Sequence, residues 1–386
     1  MTGITDRVSI VGTGCCKFGE NFHQDRFDLI IDATFEALED AGLELKDIQA
    51  AWVSTQHEMG GATVVADALK LGGIPISRCE NYCSSGLDAF RNACFSVAAG
   101  MYDRVLVVGF EKVKDLYTRG LPVPPLGYGG HPILFADAPP VTFAFAATKY
   151  FERYGIDRTP LAKVAVKNHH NGTMAPKAHL QREVTVEQVL NAPVVAWPLG
   201  LFDACGVSDG AAAAIITRKE LAKSFRNDPI TVRGIGLSVS VWRPQDRPGF
   251  DYSTFPDTEI AAMQAYEQAG IADPRKEIDC AEVHDCFTIT EILNYEDLHF
   301  CPRGQGWRFI EDGIPTLQGE LPVNMDGGLK CFGHPVGATG LRMIYEIYKQ
   351  LQGKCGPRQV KNAEVGLAQT LGGLPRNSCV VILSNS

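Results

Sequence analysis

Cys83-Ser84-Ser85-Gly86 opens a run in which the apolar residues Leu87, Phe90, Cys94 and Val97 fall at helical spacing. His334-Pro335-Val336-Gly337, 251 residues further on, opens another, carrying Leu341, Ile344, Ile347 and Leu351. The two segments set Cys83 on His334, Gly86 on Gly337 and Arg91 on Arg342. An apolar strand pattern follows each, at 104–109 and 379–384. Upstream, Ala37-Leu38-Glu39-Asp40-Ala41-Gly42-Leu43 returns as Ala265-Tyr266-Glu267-Gln268-Ala269-Gly270-Ile271. Each copy reads as the end of an amphipathic helix stopped by glycine, with a strand to follow, at 50–54 and 280–284. The offsets of the two pairs differ, 228 against 251 residues, so a loop changes length between the copies. The pattern predicts an α/β fold of two similar halves, 1–225 and 226–386, packed into one body. An insertion over about 113–225 interrupts the first half. It is rich in Pro, Gly and aromatics between Leu121 and Val141, then helical, and it closes on the small-residue run Ser208 to Ala214.

Thirty-nine glycines in 386 residues suit an α/β chain with many tight turns. The net charge of −9 argues against a nucleic-acid surface, which needs clustered Lys and Arg. The first residues are polar and lack a basic segment before an apolar core, no apolar run approaches a membrane span, and the last three residues are not Ser-Lys-Leu. A cytoplasmic setting is the expectation. None of the twelve cysteines forms a Cys-x-x-Cys pair, so neither a structural zinc site nor a disulfide framework is expected.

If the halves are related by a pseudo-twofold, Cys83 and His334 stand at equivalent helix N-termini. A cysteine there meets unpaired backbone N–H groups and the positive end of the helix dipole, which favour thiolate, and a neighbouring histidine can take its proton. Taken singly, each is more often a buried or loop residue; the symmetric placement is what marks the pair. His284-Asp285-Cys286-Phe287 ends the second-half strand, where extended residues two apart face one way. Gln369-Thr370-Leu371-Gly372-Gly373 precedes the last strand. Gly130-His131-Pro132 lacks the following Val-Gly and a repeat partner, and reads as a loop feature. Gly12-Thr13-Gly14 has Lys17 where a dinucleotide fingerprint needs glycine, so no nucleotide cofactor is expected there.

Cys83-Ser84-Ser85-Gly86, Lys167-Asn168-His169-His170-Asn171-Gly172, Ser208-Asp209-Gly210-Ala211-Ala212-Ala213, the His-Asp-Cys-Phe of 284–287 and the Gly-His-Pro-Val-Gly-Ala-Thr-Gly of 333–340, in this order, resemble the thiolases. The likeness is strongest to the sterol-carrier-protein-type branch. It implies a five-layered α-β-α-β-α fold with two pseudo-symmetric halves and Claisen chemistry on 3-oxoacyl-CoA in either direction. Thr370-Leu371-Gly372 stands where ordinary thiolases carry a second cysteine, and the branch supplies it from the His-Asp-Cys-Phe motif, here Cys286. The resemblance further implies His334 activating Cys83, Cys286 moving a proton, His284 with His334 holding the enolate oxygen, and the backbone N–H groups of Cys83 and Gly372 holding the tetrahedral oxyanion. No bound cofactor or metal is implied. Coenzyme A is a co-substrate, with a homodimer and a small zinc-ribbon/OB-fold partner protein as expected associations. A retro-aldolase on CoA esters and a non-catalytic CoA-binding subunit are the alternatives. Tyr128, Phe135 and Phe143 are candidates for an acyl pocket, and as loop aromatics equally for simple packing; acyl class and direction stay open.

Overall fold

The computed structural model describes residues 3–115, 139–240, 249–373 and 375–385. The first half runs β1 (Val8–Cys15), α1 (Arg26–Ala41), β2 (Ala50–Ser54), α2 (Gly61–Leu69), β3 (Ile76–Cys79), α3 (Ser85–Ala98) and β4 (Val105–Glu111). The inserted stretch carries α4 (Pro139–Tyr154), α5 (Thr159–Thr173), α6 (Val186–Leu190) and the small hairpin β5 (Val194–Ala196) to β6 (Leu199–Gly200). The small-residue run then returns to the sheet as β7 (Gly210–Arg218), followed by α7 (Lys219–Phe225). The second half runs β8 (Ile230–Val239), α8 (Pro256–Ala269), α9 (Pro274–Glu277), β9 (Cys280–Glu282), α10 (Thr288–Asp297), α11 (Gly306–Glu311), α12 (Gly328–Cys331), α13 (Val336–Leu351), β10 (Val365–Gly372) and β11 (Asn377–Ser384).

The sheet order, β3-β2-β4-β7-β1-β8-β11-β10-β9, displays the duplication. Read outward from its centre, β1-β7-β4-β2 matches β8-β11-β10-β9, and in both sets two antiparallel pairings are followed by a parallel one. The half-sheets meet only through Ser9 and Ile10 of β1 against Thr231 and Ile230 of β8. The repeated helices α1 and α8 end on Gly42 and Gly270 in the left-handed region, φ 66° and 72°, as their sequences predict. They cover the outer faces, α1 on β1 and β7, α8 on β8 and β11.

Helices α3 and α13 pack on one another between the half-sheets, α13 touching β4 and β7 on one side and β10 on the other. This is the central layer of five. The crossing is backbone to backbone: a Cβ on Gly340 would stand 2.6 Å from Leu87 N, so only glycine fits there. Cys83 and His334 each precede their helix by two residues and are therefore brought together by that crossing. The second-half strand stops at Glu282, short of the expected 284. Beyond it, Val283 N and His284 N donate to the side chains of Asn324 (2.8 Å) and Gln369 (3.0 Å) instead of a ladder, which frees 284–287 as a loop. No helix among the described residues is long and apolar enough to cross a membrane.

Candidate active site

A tight turn presents Cys83. Tyr82 adopts φ 51°, an uncommon conformation for a residue with a side chain, and Ser85 N–H closes the turn on Tyr82 O at 3.0 Å. The Cys83 sulfur lies 3.3 Å from His334 Nε2. On the other side of that ring, Nδ1 is 2.7 Å from Thr339 Oγ1, whose own hydroxyl donates to Pro335 O at 3.0 Å. With its single proton committed to the carbonyl, Thr339 accepts from Nδ1–H. The imidazole therefore carries its proton on Nδ1 and turns a bare Nε2 toward the thiol. Thr339→Val removes that constraint, and we expect kcat/KM to fall about tenfold, the effect of one hydrogen bond, with KM unchanged; steady-state kinetics checks this.

His284 meets His334 edge to face, ring centroids 5.2 Å apart. Its peptide is held on both sides, by Gln369 at the N–H and by Asn294, whose Nδ2 donates to His284 O at 2.8 Å. Its Nδ1 has no partner among the described residues. One donor atom from each of Cys83, His284 and His334 lies within 4.8 Å of the others, a set whose chemistry a soft cation could share. Cys286 is 8% exposed, its sulfur 3.7 Å from Thr290 Oγ1. Its carbonyl accepts from Cys205 N at 2.9 Å. Gly372 packs its Cα against the nucleophile turn, so that a Cβ there would stand 2.8 Å from Asn81 O and 3.1 Å from Cys83 N. The backbone N–H groups of Cys83 itself and of Gly373, the residue after Gly372, are the ones that favour the thiolate form of Cys83.

Burial sets the protonation states. It pushes the Cys83 thiol up to about 12, with Glu111 adding to the rise and the N–H groups of Cys83 and Gly373 opposing it. It pushes His334 down to about 3, helped by the buried Arg342 guanidinium. His284 is likewise held well below the ordinary imidazole range by burial, and Cys286 well above the ordinary thiol range by burial and by the neighbouring Cys205 and Cys83 thiols. The helix N-terminus favours thiolate, as the sequence leads one to expect, but desolvation opposes it more strongly, so the dyad rests as thiol and neutral imidazole. Below a raised pKa the thiolate fraction grows tenfold per pH unit. Alkylation of Cys83 by iodoacetamide should accordingly climb from pH 7 to 9 without a plateau, and a plateau below pH 8 would contradict the neutral dyad.

The loop of 284–287 is clamped from beneath. Asp285, pushed up to about 7 by burial and Glu291, accepts from Leu329 N (2.6 Å), Lys330 N (3.2 Å) and Asn168 Nδ2 (2.8 Å). Asn168 also donates to Glu291 (2.7 Å), which pairs with Lys167 (2.8 Å) and accepts from Asn324 (2.8 Å). The Lys-Asn-His-His stretch is thus the underside of the pocket. Phe143 stacks on Phe287 at 5.1 Å and is buried, whereas Tyr128, Phe135 and His131 lie outside the described residues. Thr339, Glu111 and Cys205 escape the sequence reading. Thr339 alone left a signal, one helical turn beyond His334.

The model for the Thiolase N-terminal domain matches residues 8–220, and that for the Thiolase C-terminal domain-like family matches 249–385. An acetyl-CoA acetyltransferase of Methanothermobacter thermautotrophicus is 36% identical over 98% of this chain and 99% of its own length. The benzoylsuccinyl-CoA thiolase subunit BbsB of Thauera aromatica is 33% identical over 95% of each chain. Among solved structures, the Ltp2–ChsH2(DUF35) aldolase superposes with a TM-score of 0.88 at 24% identity, covering 99% of this chain and 98% of that one. Human mitochondrial 3-ketoacyl-CoA thiolase superposes at 0.72 and 18%, covering 99% of each, and both likenesses speak to the fold. With both domain models matched in order and relatives aligned from end to end, the chain belongs to the thiolase family and is an acyltransferase.

Proposed function

We propose that the protein cleaves a 3-oxoacyl-CoA with coenzyme A, or runs the reverse Claisen condensation, through an acyl group on Cys83. The observation that carries this is the Cys83 sulfur 3.3 Å from a His334 Nε2 whose lone pair is fixed toward it by Thr339. In cleavage, Nε2 takes the thiol proton as sulfur attacks the keto carbon, so charge develops only during the step. The resulting oxyanion sits against backbone N–H groups of the nucleophile turn and of the Gly372-Gly373 segment; preorganised donors of this kind are worth about 3 kcal/mol each. Carbon–carbon cleavage leaves an acyl-cysteine and the enolate of acetyl-CoA, with His284 and His334 at its oxygen. Cys286 gives the enolate carbon its proton, then takes one from incoming CoA, whose sulfur displaces Cys83 from the acyl group. The imidazolium returns its proton to the departing Cys83.

The direct assay supplies the purified chain with acetoacetyl-CoA or longer 3-oxoacyl-CoA esters and free CoA, and looks for two new thioesters. A requirement for a small zinc-ribbon/OB-fold partner is supported by the Ltp2–ChsH2(DUF35) likeness; full thiolysis by the chain alone would end it. A homodimer is supported by β3, which leaves one edge of the sheet unpaired among the described strands. A retro-aldolase is the second reading, since that same neighbour is an aldolase. It would cleave without an acyl-cysteine, and Cys83→Ala separates the two.

A further inference from the structure

Three lysines among the described residues are less than a tenth exposed: Lys112, Lys167 and Lys330. Lys112 pairs with Asp209 at 2.7 Å and Lys167 with Glu291 at 2.8 Å. The fully buried Arg342 likewise pairs with Glu282 and Asp326. Lys330, the most buried of the three lysines at 3%, has no carboxylate partner and no hydrogen bond at its ammonium among the described residues. What faces it is the half-buried ring of Phe202, 5.9 Å from Nζ to the centroid. The Lys330 ammonium is not among the sealed, unpartnered polar atoms, so it keeps its little solvent contact and is open to a guest.

The surroundings favour an anionic guest. A second cation gathers at the same ring, the Arg182 guanidinium with Cζ at 5.3 Å. His169, 5.7 Å from that ring, is fully buried and donates Nδ1–H to Arg182 O at 2.9 Å, so its unpartnered Nε2 is a bare acceptor and the anion would be held by the cations alone. The carboxylates nearby are engaged elsewhere, Asp285 on three N–H donors and Glu183 on His170 at 2.9 Å. The place adjoins the catalytic pocket: Lys330 lies four residues before His334, its backbone N–H holds Asp285, and its charge is felt at Cys205, opposite Cys286.

We infer that Lys330, with Arg182 at the same Phe202 ring, forms an anion-binding subsite of the catalytic pocket that takes a carboxylate or phosphate carried by the thioester substrate. The inference rests on the CoA-thioester reading above. Two groups share this chemistry, a carboxylate on the acyl chain and the phosphates of CoA.

Calorimetric binding to the full chain separates them, with free CoA, pantetheine (the same thiol arm without CoA's phosphates) and glutarate as probes. Lys330→Met should weaken CoA or glutarate about 10- to 100-fold, the effect of one charge-assisted hydrogen bond. Lys330→Arg should recover most of that loss, and pantetheine should bind parent and variants alike. A loss confined to CoA identifies phosphate, and a loss on glutarate identifies an acyl carboxylate. CoA and glutarate binding unchanged, or pantetheine weakened in step with them, would each overturn the subsite. If thiolysis fails with every 3-oxoacyl-CoA while these binding differences persist, the thiolase reading falls and the subsite stands.

Discussion

His334→Ala lowers kcat/KM for thiolysis by about 10³-fold, within the range for loss of a positioned general base. The reason lies in the resting dyad. A thiol held up at about 12 leaves roughly one sulfur in 10⁵ ionised at pH 7, so attack depends on proton transfer during the step. On the mechanism proposed above, removing the imidazole also removes one of the two groups at the enolate oxygen, so both half-reactions should slow. Structure is little disturbed, because the helix crossing that brings Cys83 to this position rests on Gly86, Gly337 and Gly340 and not on the ring. Steady-state kinetics with circular dichroism checks the expectation. A loss under tenfold in a folded variant would remove His334 from the role of base.

Cys286→Ser stops turnover by a similar factor but spares the nucleophile. Serine fits the same buried volume, and its hydroxyl gives up a proton far less readily than a thiol, so the enolate is not quenched and CoA is not activated. Alkylation of Cys83 in this variant should stay within about threefold of the parent, since its base is His334. Cys205→Ser is the control, because Cys205 lies across from Cys286 and bears on its thiol. Collapse in Cys205→Ser with turnover retained in Cys286→Ser would move the proton relay to Cys205.

What the sequence made legible was what repetition writes into it. Gly42 and Gly270 mark equivalent helix ends, and Cys83 and His334 hold equivalent places before α3 and α13, because each half must solve the same packing problem. Local patterning is also why the end of β9 was missed: side chains of Asn324 and Gln369, distant in sequence, replace the ladder. What opposes the thiolate at Cys83 was hidden from the sequence for a related reason. A helix N-terminus is visible in four residues, whereas desolvation comes from groups of both halves packed around the half-buried Cys83. The clamp of Asn168 on Asp285 and the solitary charge of Lys330 arise the same way, from groups that meet only in the fold.

The central claim is that Cys83 carries the acyl group. Incubating the protein with a panel of 3-oxoacyl-CoA esters in the absence of free CoA, quenching in acid and mapping peptides by mass tests it directly. The account predicts an acyl adduct on the peptide containing Cys83, released by added CoA and absent in Cys83→Ala. An adduct on Cys205 or Cys286 instead, or thiolysis that persists in Cys83→Ala, would contradict it.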